Sequence, residues 1–349
     1  MKNHIIPIFI PHLGCMHECI FCNQKKIANK ITPAKQSDIK DIIDFALSKI
    51  TNKENINIEV AFYGGSFTAL PLQTQEELLQ PAYDALIKQE INSIRLSTRP
   101  DCINDKIINT LKKYKVKTIE LGVQSLDDVV LKNAQRGHSS TDVLKSVELL
   151  KKNGFICGLQ IMPGLPGENW ESLIKTCLGV IALNPNFIRI YPTIVIIDTK
   201  LAKLYQKNLY SPLSLEEAVA KTAYLKYLFK INDIPVIRTG LQATDLLSKG
   251  DVILKGPYHP SFGEMVDSYL FYMFFSRFIE DIPNYNHNSE ILLHHNPKDT
   301  SKIRGLNCMN LEKIKYKYSI SKITFISTTK LKTGEAIAEY NNIKFLINF

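Results

Sequence analysis

Cys15, Cys19 and Cys22 fall within one short run, Gly14-Cys15-Met16-His17-Glu18-Cys19-Ile20-Phe21-Cys22-Asn23. Three thiolates on one tight loop can hold three irons of a [4Fe–4S] cluster. No fourth cysteine lies nearby, so the fourth iron would stay open to an outside ligand, like the open position on a catalytic metal. Other chemistries could use the same loop. His12 or His17 could complete a zinc knuckle, and Cys102, Cys157, Cys177 or Cys308 could close a structural cluster from a distance. A disulfide fits poorly, because nothing in the sequence marks secretion.

The elements that position this loop repeat along the chain. The apolar run Ile5-Ile6-Pro7-Ile8-Phe9-Ile10 enters the cysteine loop directly and reads as a buried strand. Residues 38–50 read as a helix, with Ile39, Ile42, Ile43, Ala46, Leu47 and Ile50 on one face. Strands follow at 58–63, 94–97, 118–123, 156–162 and 187–190, and helices at 72–88, 105–114, 141–153 and 170–183. Gly154 closes the helix at 141–153 at its C-cap. Strands alternating with helices imply a parallel sheet with right-handed crossovers. Strands this apolar are covered on both faces, and curling the sheet makes a barrel. The expected fold is α/β: a partial (β/α)6 TIM-like barrel over residues 1–240 with a small α+β C-terminal extension over 241–349. In the extension, Phe262 to Ile279 reads as an aromatic-rich helix. Pro283 to Asp299 reads as a polar stretch containing His287, His294 and His295.

The chain has 349 residues, 45% of them hydrophobic, enough for one large barrel plus an appendage. No window approaches the ~18 consecutive apolar residues of a membrane span. The first strand starts at once, leaving no room for a signal peptide. The expected setting is cytoplasmic, with no membrane. The net charge of +9 fits a polyanion partner and a solvated lysine surface equally well.

In α/β barrels the site lies beyond the C-terminal ends of the strands. Here those ends carry Gly64-Gly65-Ser66-Phe67, Thr98-Arg99-Pro100-Asp101, Gly122-Val123-Gln124-Ser125, Ile161-Met162-Pro163-Gly164 and Tyr191-Pro192-Thr193. Glycines let the backbone approach a ligand closely; a plain turn is the alternative. Arg99 suits a carboxylate or phosphate, or a structural bridge to Asp101. Gln124 and Ser125 can hydrogen-bond polar groups of a ligand. His138, in Arg136-Gly137-His138, could carry a proton near neutral pH or simply be solvated.

The C-x3-C-x2-C spacing resembles the signature of radical S-adenosylmethionine (SAM) enzymes. In that family the open iron chelates SAM, and an electron from the cluster cleaves it to methionine and a 5′-deoxyadenosyl radical. The ordered series of strand-end motifs, with Arg136-Gly137-His138, resembles the radical SAM domain of the catalytic subunit of Elongator, which modifies wobble uridine in tRNA. The resemblance covers residues 4 to about 240 and lacks that family's acetyltransferase domain and N-terminal tRNA-binding region. It implies a [4Fe–4S] cluster on Cys15, Cys19 and Cys22, and SAM held by Gly64, Gly65 and Ser66. Gln124, Ser125 and Ile161 are further cofactor candidates. It also implies an electron donor such as ferredoxin or flavodoxin, with tRNA as a candidate partner. No catalytic acid or base is assigned. The alternatives are a coproporphyrinogen dehydrogenase-like enzyme acting on a small molecule and a non-catalytic cluster-bearing protein that binds haem or RNA.

Overall fold

The computed structural model describes residues 2–10, 19–23, 35–51, 55–241, 252–283, 285–286 and 290–349. The chain forms two compact units, one of Met1–Ser214 with Asn232–Pro257 and one of Leu215–Ile231 with Tyr258–Phe349.

The first unit begins with β1 (Lys2–Ile10), β2 (Ile56–Gly64), β3 (Ser93–Thr98), β4 (Val116–Gln124), β5 (Ile156–Ile161) and β6 (Phe187–Ile190). Helices Gln36–Ser48, Leu72–Ile87, Asp105–Lys113, Ser140–Lys152 and Trp170–Ala182 alternate with them. Then come β7 (Val195–Ile196), β8 (Val236–Thr239) and β9 (Ile253–Lys255). The main sheet has seven strands in the order β1-β2-β3-β4-β5-β6-β8. All of its pairs are parallel, while β7 and β9 form a separate antiparallel pair. Chain order and spatial order agree, so each crossover returns to the next strand, as in a TIM-like barrel. Among the described residues β1 and β8 do not pair, and the barrel is partial.

Alternation divides each strand between two faces. One face carries Ile6, Ile8, Val60, Phe62, Ile94, Leu96, Ile119, Leu121, Leu159, Ile161, Ile188 and Ile190, all buried. The helices bury their own apolar stripes, such as Ile39, Ile43 and Leu47 or Val143, Val147 and Leu150. The opposite face is charged. Arg95 Nε lies 2.7 Å from Glu59 Oε2, and Arg95 Nη1 lies 2.6 Å from Glu120 Oε1. Arg189 Nε lies 2.9 Å from Glu120 Oε2, and Arg189 Nη2 donates to Tyr63 Oη at 3.2 Å.

That last bond measures the curl of the sheet. Tyr63 ends β2 and Arg189 sits on β6, four strand spacings away. A flat sheet would separate them by roughly 19 Å. Their side chains touch because the sheet wraps around them, and the charged face is the lumen. Gly158 on β5 makes room, since a Cβ there would stand 2.1 Å from the Phe187 ring.

The second unit pairs helices Leu215–Ile231 and Phe262–Glu280, with Tyr227 edge-on to Phe274. Its sheet holds β10 (Glu290–His295), β11 (Lys322–Ser327), β12 (Glu335–Tyr340) and β13 (Ile343–Asn348) in the order β11-β10-β12-β13. The stretch expected to be merely polar thus contains a core strand. Ile291, Leu293 and His295 alternate inward and are buried, while His294 meets Glu339 at 3.4 Å. His287 lies outside the described residues. Among the described residues no helix is long and apolar enough to cross a membrane.

Glu120 is the hub of the lumen, so its charge is the one whose loss leaves most uncompensated. Glu120→Gln is expected to destabilise the protein by about 3 kcal/mol, because it strips a buried partner from two arginines. Glu59→Gln should cost less, since Arg95 keeps Glu120. Urea unfolding of the two variants checks the order.

Candidate cluster and cofactor site

The described part of the cysteine loop is pinned to the barrel through Ile20. Its N–H donates to Ala134 O at 3.2 Å, and its carbonyl accepts from Leu201 N at 2.8 Å. Its side chain packs with Val195, Leu201 and Ala202. Cys22 N donates to Cys19 O at 3.0 Å, a tight turn that carries both sulfurs. Cys15 lies outside the described residues, as do His12 and His17.

Cys19 is buried against Arg136, whose Nη1 donates to Cys19 Sγ at 3.2 Å. Arg136 Nη2 donates to Gly122 O at 2.6 Å, and Arg136 Nε is buried with no hydrogen-bond partner. Sequence reasoning marked the Arg136-Gly137-His138 tract but gave Arg136 no role. The contact joins positions 117 apart in the chain. An arginine bracketed by a residue at φ 50° (Gln135) and a glycine at φ 75° was its one local trace.

The donor set bears on a cluster with an open iron. Cys19 and Cys22 supply sulfur, and a buried guanidinium faces one of them. No carboxylate pairs with Arg136 among the described residues, whereas a buried cation calls for a counter-charge. A cluster-bound cysteine sulfur would provide it. These residues fit the group.

Arg99 forms the structural bridge: its Nε and Nη2 donate to the two Asp101 oxygens at 2.9 Å each. Its third nitrogen, Nη1, is buried without a partner. His138 is neither solvated nor a proton carrier near neutral pH. Its side chain is fully buried, with Nε2 3.2 Å from Val123 O and Nδ1 4.0 Å from Asp101. Burial first, then the charge of Arg136, pushes its pKa down to about 3. Position after a turn suggested a loop histidine, but the turn folds it under β4.

The other candidates surround the same strand ends. Gly64, at φ +106°, would place a Cβ 2.9 Å from Ile10 O, and Gly65 N donates to that oxygen at 2.8 Å. The double glycine is thus a close crossing of the ends of β1 and β2, next to where the cysteine loop departs. Ser66 is buried beside it. Gln124 stands at φ +69° where β4 slips register against β5. Such backbone is strained for a side-chain-bearing residue and collects at functional ends. Gln160 Nε2 donates to Gln124 Oε1 at 3.1 Å, and Met162 N donates to Gln124 O at 2.9 Å. Ser125 points elsewhere: its hydroxyl lies 3.1 Å from Thr176 Oγ1 and accepts from Asp127 N. Ile161 turns its side chain into the helix-facing core, and its carbonyl accepts from Tyr191 N at 3.0 Å. Beyond it, Gly164 N donates to Glu168 Oε1 and Tyr210 Oη donates to Gly164 O.

The lumen residues Glu59, Arg95, Glu120 and Arg189 escaped the sequence reading. Their signal was present as a charge interrupting the apolar strands β2, β3, β4 and β6, opposite in phase to their buried residues.

Two family descriptions match the chain: the radical SAM superfamily over residues 9–178 and a radical SAM C-terminal domain over 185–271. An uncharacterized protein of Methanocaldococcus jannaschii is 31% identical over 62% of this chain and 68% of its own. The tRNA uridine(34) acetyltransferase of Methanocaldococcus infernus is 30% identical over 61% of this chain, which spans 42% of that relative. The solved structure of Methanocaldococcus infernus Elp3 with an N-terminal deletion superposes with a TM-score of 0.61 at 24% identity, over 77% of this chain and 62% of that one.

The state of His138 has a consequence for stability. The unfolded histidine protonates near pH 6.5 and the folded one only near 3, so its contribution is fully present above 6.5 and is lost as pH falls from 6.5 toward 3. The slope reaches up to about 1.4 kcal/mol per pH unit. Urea unfolding at pH 7 and pH 5 should show a smaller pH difference in His138→Gln than in the parent protein.

Proposed function

The chain belongs to the radical SAM superfamily, and from that premise we propose that it binds a [4Fe–4S] cluster on Cys15, Cys19 and Cys22, cleaves SAM reductively, and acts on a tRNA uridine. The observation that carries the reading is Arg136, a buried guanidinium aimed at Cys19 Sγ at the mouth of the barrel. Cluster and SAM, when bound, supply hydrogen-atom abstraction.

The residues of the chain divide the remaining work. Gly64 and Gly65 expose backbone at the crossing of β1 and β2, where the methionine end of SAM is held, with Ser66 beside them. Gln124 presents its amide at the end of β4, where it can reach the ribose. Ser125 supports this turn through Thr176 rather than touching the ligand, and Ile161 offers backbone alone. The lumen below holds the mostly buried Glu59–Arg95–Glu120–Arg189 lattice, a polar surface at lowered dielectric, where hydrogen bonds to a polar base are strengthened. The electron comes from a one-electron donor such as ferredoxin or flavodoxin.

The tRNA reading rests on the tRNA-modifying relative, the Elongator-like motifs and the net charge of +9. Anaerobically reconstituted protein is expected to take up about four irons and to convert SAM to 5′-deoxyadenosine on reduction. The Cys15, Cys19 and Cys22 triple alanine variant should do neither. Zinc in place of iron would overturn the cluster assignment.

Affinity for total tRNA in a gel-shift series should fall about a thousandfold between 50 and 200 mM salt if ~6 phosphates are contacted. Absent or salt-flat binding would point to a small-molecule substrate instead.

A further inference from the structure

We propose that Tyr63 and Tyr191 are the base-reading pair of the barrel: held on one guanidinium, that of Arg189, they offer their phenol O–H groups to two carbonyl oxygens of a planar base and so select uracil over cytosine. That role rests on a tRNA uridine being the substrate, the reading proposed above.

Both tyrosines stand at strand ends on the lumen face. Tyr63 follows Glu59 in the alternation of β2, and Tyr191 follows Arg189 just past β6. Sites in such barrels lie beyond these ends. Both side chains are only half-buried, so part of each stays open to a ligand.

Arg189 Nη1 donates to Tyr191 Oη at 2.9 Å, and Nη2 donates to Tyr63 Oη at 3.2 Å. A guanidinium carries donors only, so each phenol oxygen accepts here and keeps its hydrogen for another acceptor. Arg189 is itself fixed, with Nε and Nη2 each 2.9 Å from a Glu120 carboxylate oxygen. Its charge lies 5.5 Å from the Tyr63 ring centroid, and Tyr191 N donates to Ile161 O at 3.0 Å. The two hydroxyls are thus placed before a ligand arrives, which lowers the ordering cost of binding. Burial first, then the charge of Glu120, raises the pKa of Tyr63 above its usual value and keeps its phenol a donor at neutral pH.

Two neighbouring O–H donors call for two acceptors. Uracil carries carbonyl oxygens at O2 and O4, whereas cytosine replaces O4 with an amino group, itself a donor. Against cytosine one phenol would face a donor and leave its own hydrogen unmet. A site built to hydrogen-bond its substrate rejects an analogue that leaves the bond unmade more sharply than a site that reads shape alone.

The test uses the full chain with its cluster reconstituted anaerobically, SAM present and no reductant added. The probes are anticodon stem-loop RNAs identical except at the wobble base, which is uridine, cytidine or 4-thiouridine. The readout is the ratio of affinities within each protein. The parent should bind the uridine loop about tenfold more tightly than the cytidine loop, the size of one unmade hydrogen bond. The 4-thiouridine loop, whose sulfur is a weak acceptor, should fall in between. Tyr63→Phe keeps the ring beside Arg189 and removes only the hydroxyl, and Tyr191→Phe does the same at the other nitrogen. Each should shrink the ratio, and the double variant should abolish the preference. A ratio is insensitive to partial loss of folded protein, and the comparison of loops on the parent needs no variant. A parent that binds the uridine and cytidine loops equally overturns the proposal while the tRNA reading stands. So does a double variant that keeps the full preference. A parent that binds none of the loops overturns the tRNA reading itself, and the proposal with it.

Discussion

A parallel sheet with charges on its inner face can curl only if those charges neutralise one another across strands. Glu120 meets that constraint for the barrel. Its carboxylate is shared between Arg95 on the adjacent strand and Arg189 two strands away, and Arg189 reaches on to Tyr63 on β2. Arg95 in turn holds Glu59, which accepts from Ser93 Oγ. Each ion is thus met by more than one partner, the condition under which buried charge is tolerated. The apolar faces and the helices close around a sheet whose curvature this lattice requires.

The same logic applies at the rim. Arg99 is neutralised by Asp101, and His138 stays uncharged because burial and Arg136 disfavour its proton. Among the described residues Arg136 meets a sulfur and a backbone carbonyl rather than a carboxylate. A histidine read as a possible proton carrier is thus an uncharged packing group.

The alternation of strands and helices was legible because apolar periodicity is a local property. The helix read as 38–50 runs Gln36–Ser48, and β6 runs Phe187–Ile190 as expected. Less was legible after residue 190. Helix Leu215–Ile231 buries residues on several sides and shows little one-sided pattern, and β8 is only Val236–Thr239. At the site, the glycines at the end of β2 were legible because a crossing that close admits no side chain. The partners of Arg136, Glu120 and His138 were not, since they lie on other elements and no spacing in the chain encodes them. Ser125 and Ile161 show a third case. Their motifs were recognisable, but Ser125 lies just past β4 and bonds Thr176 and Asp127 N, while the alternation of β5 turns Ile161 away from the lumen.

The division into two units has a bearing on synthesis. Helix Leu215–Ile231 lies between barrel segments in the chain yet belongs to the second unit, where it packs on Phe262–Glu280. A ribosome delivers it before its partner exists, and the ~30 residues up to Phe262 take a few seconds at about 5–20 residues per second. For that interval Val219, Leu225 and Phe229, all buried in the finished protein, have no native partner helix to cover them. β8 emerges in the same interval. The nascent chain therefore carries a sticky helix while its barrel sheet is being completed, which marks this step as the one a chaperone would attend.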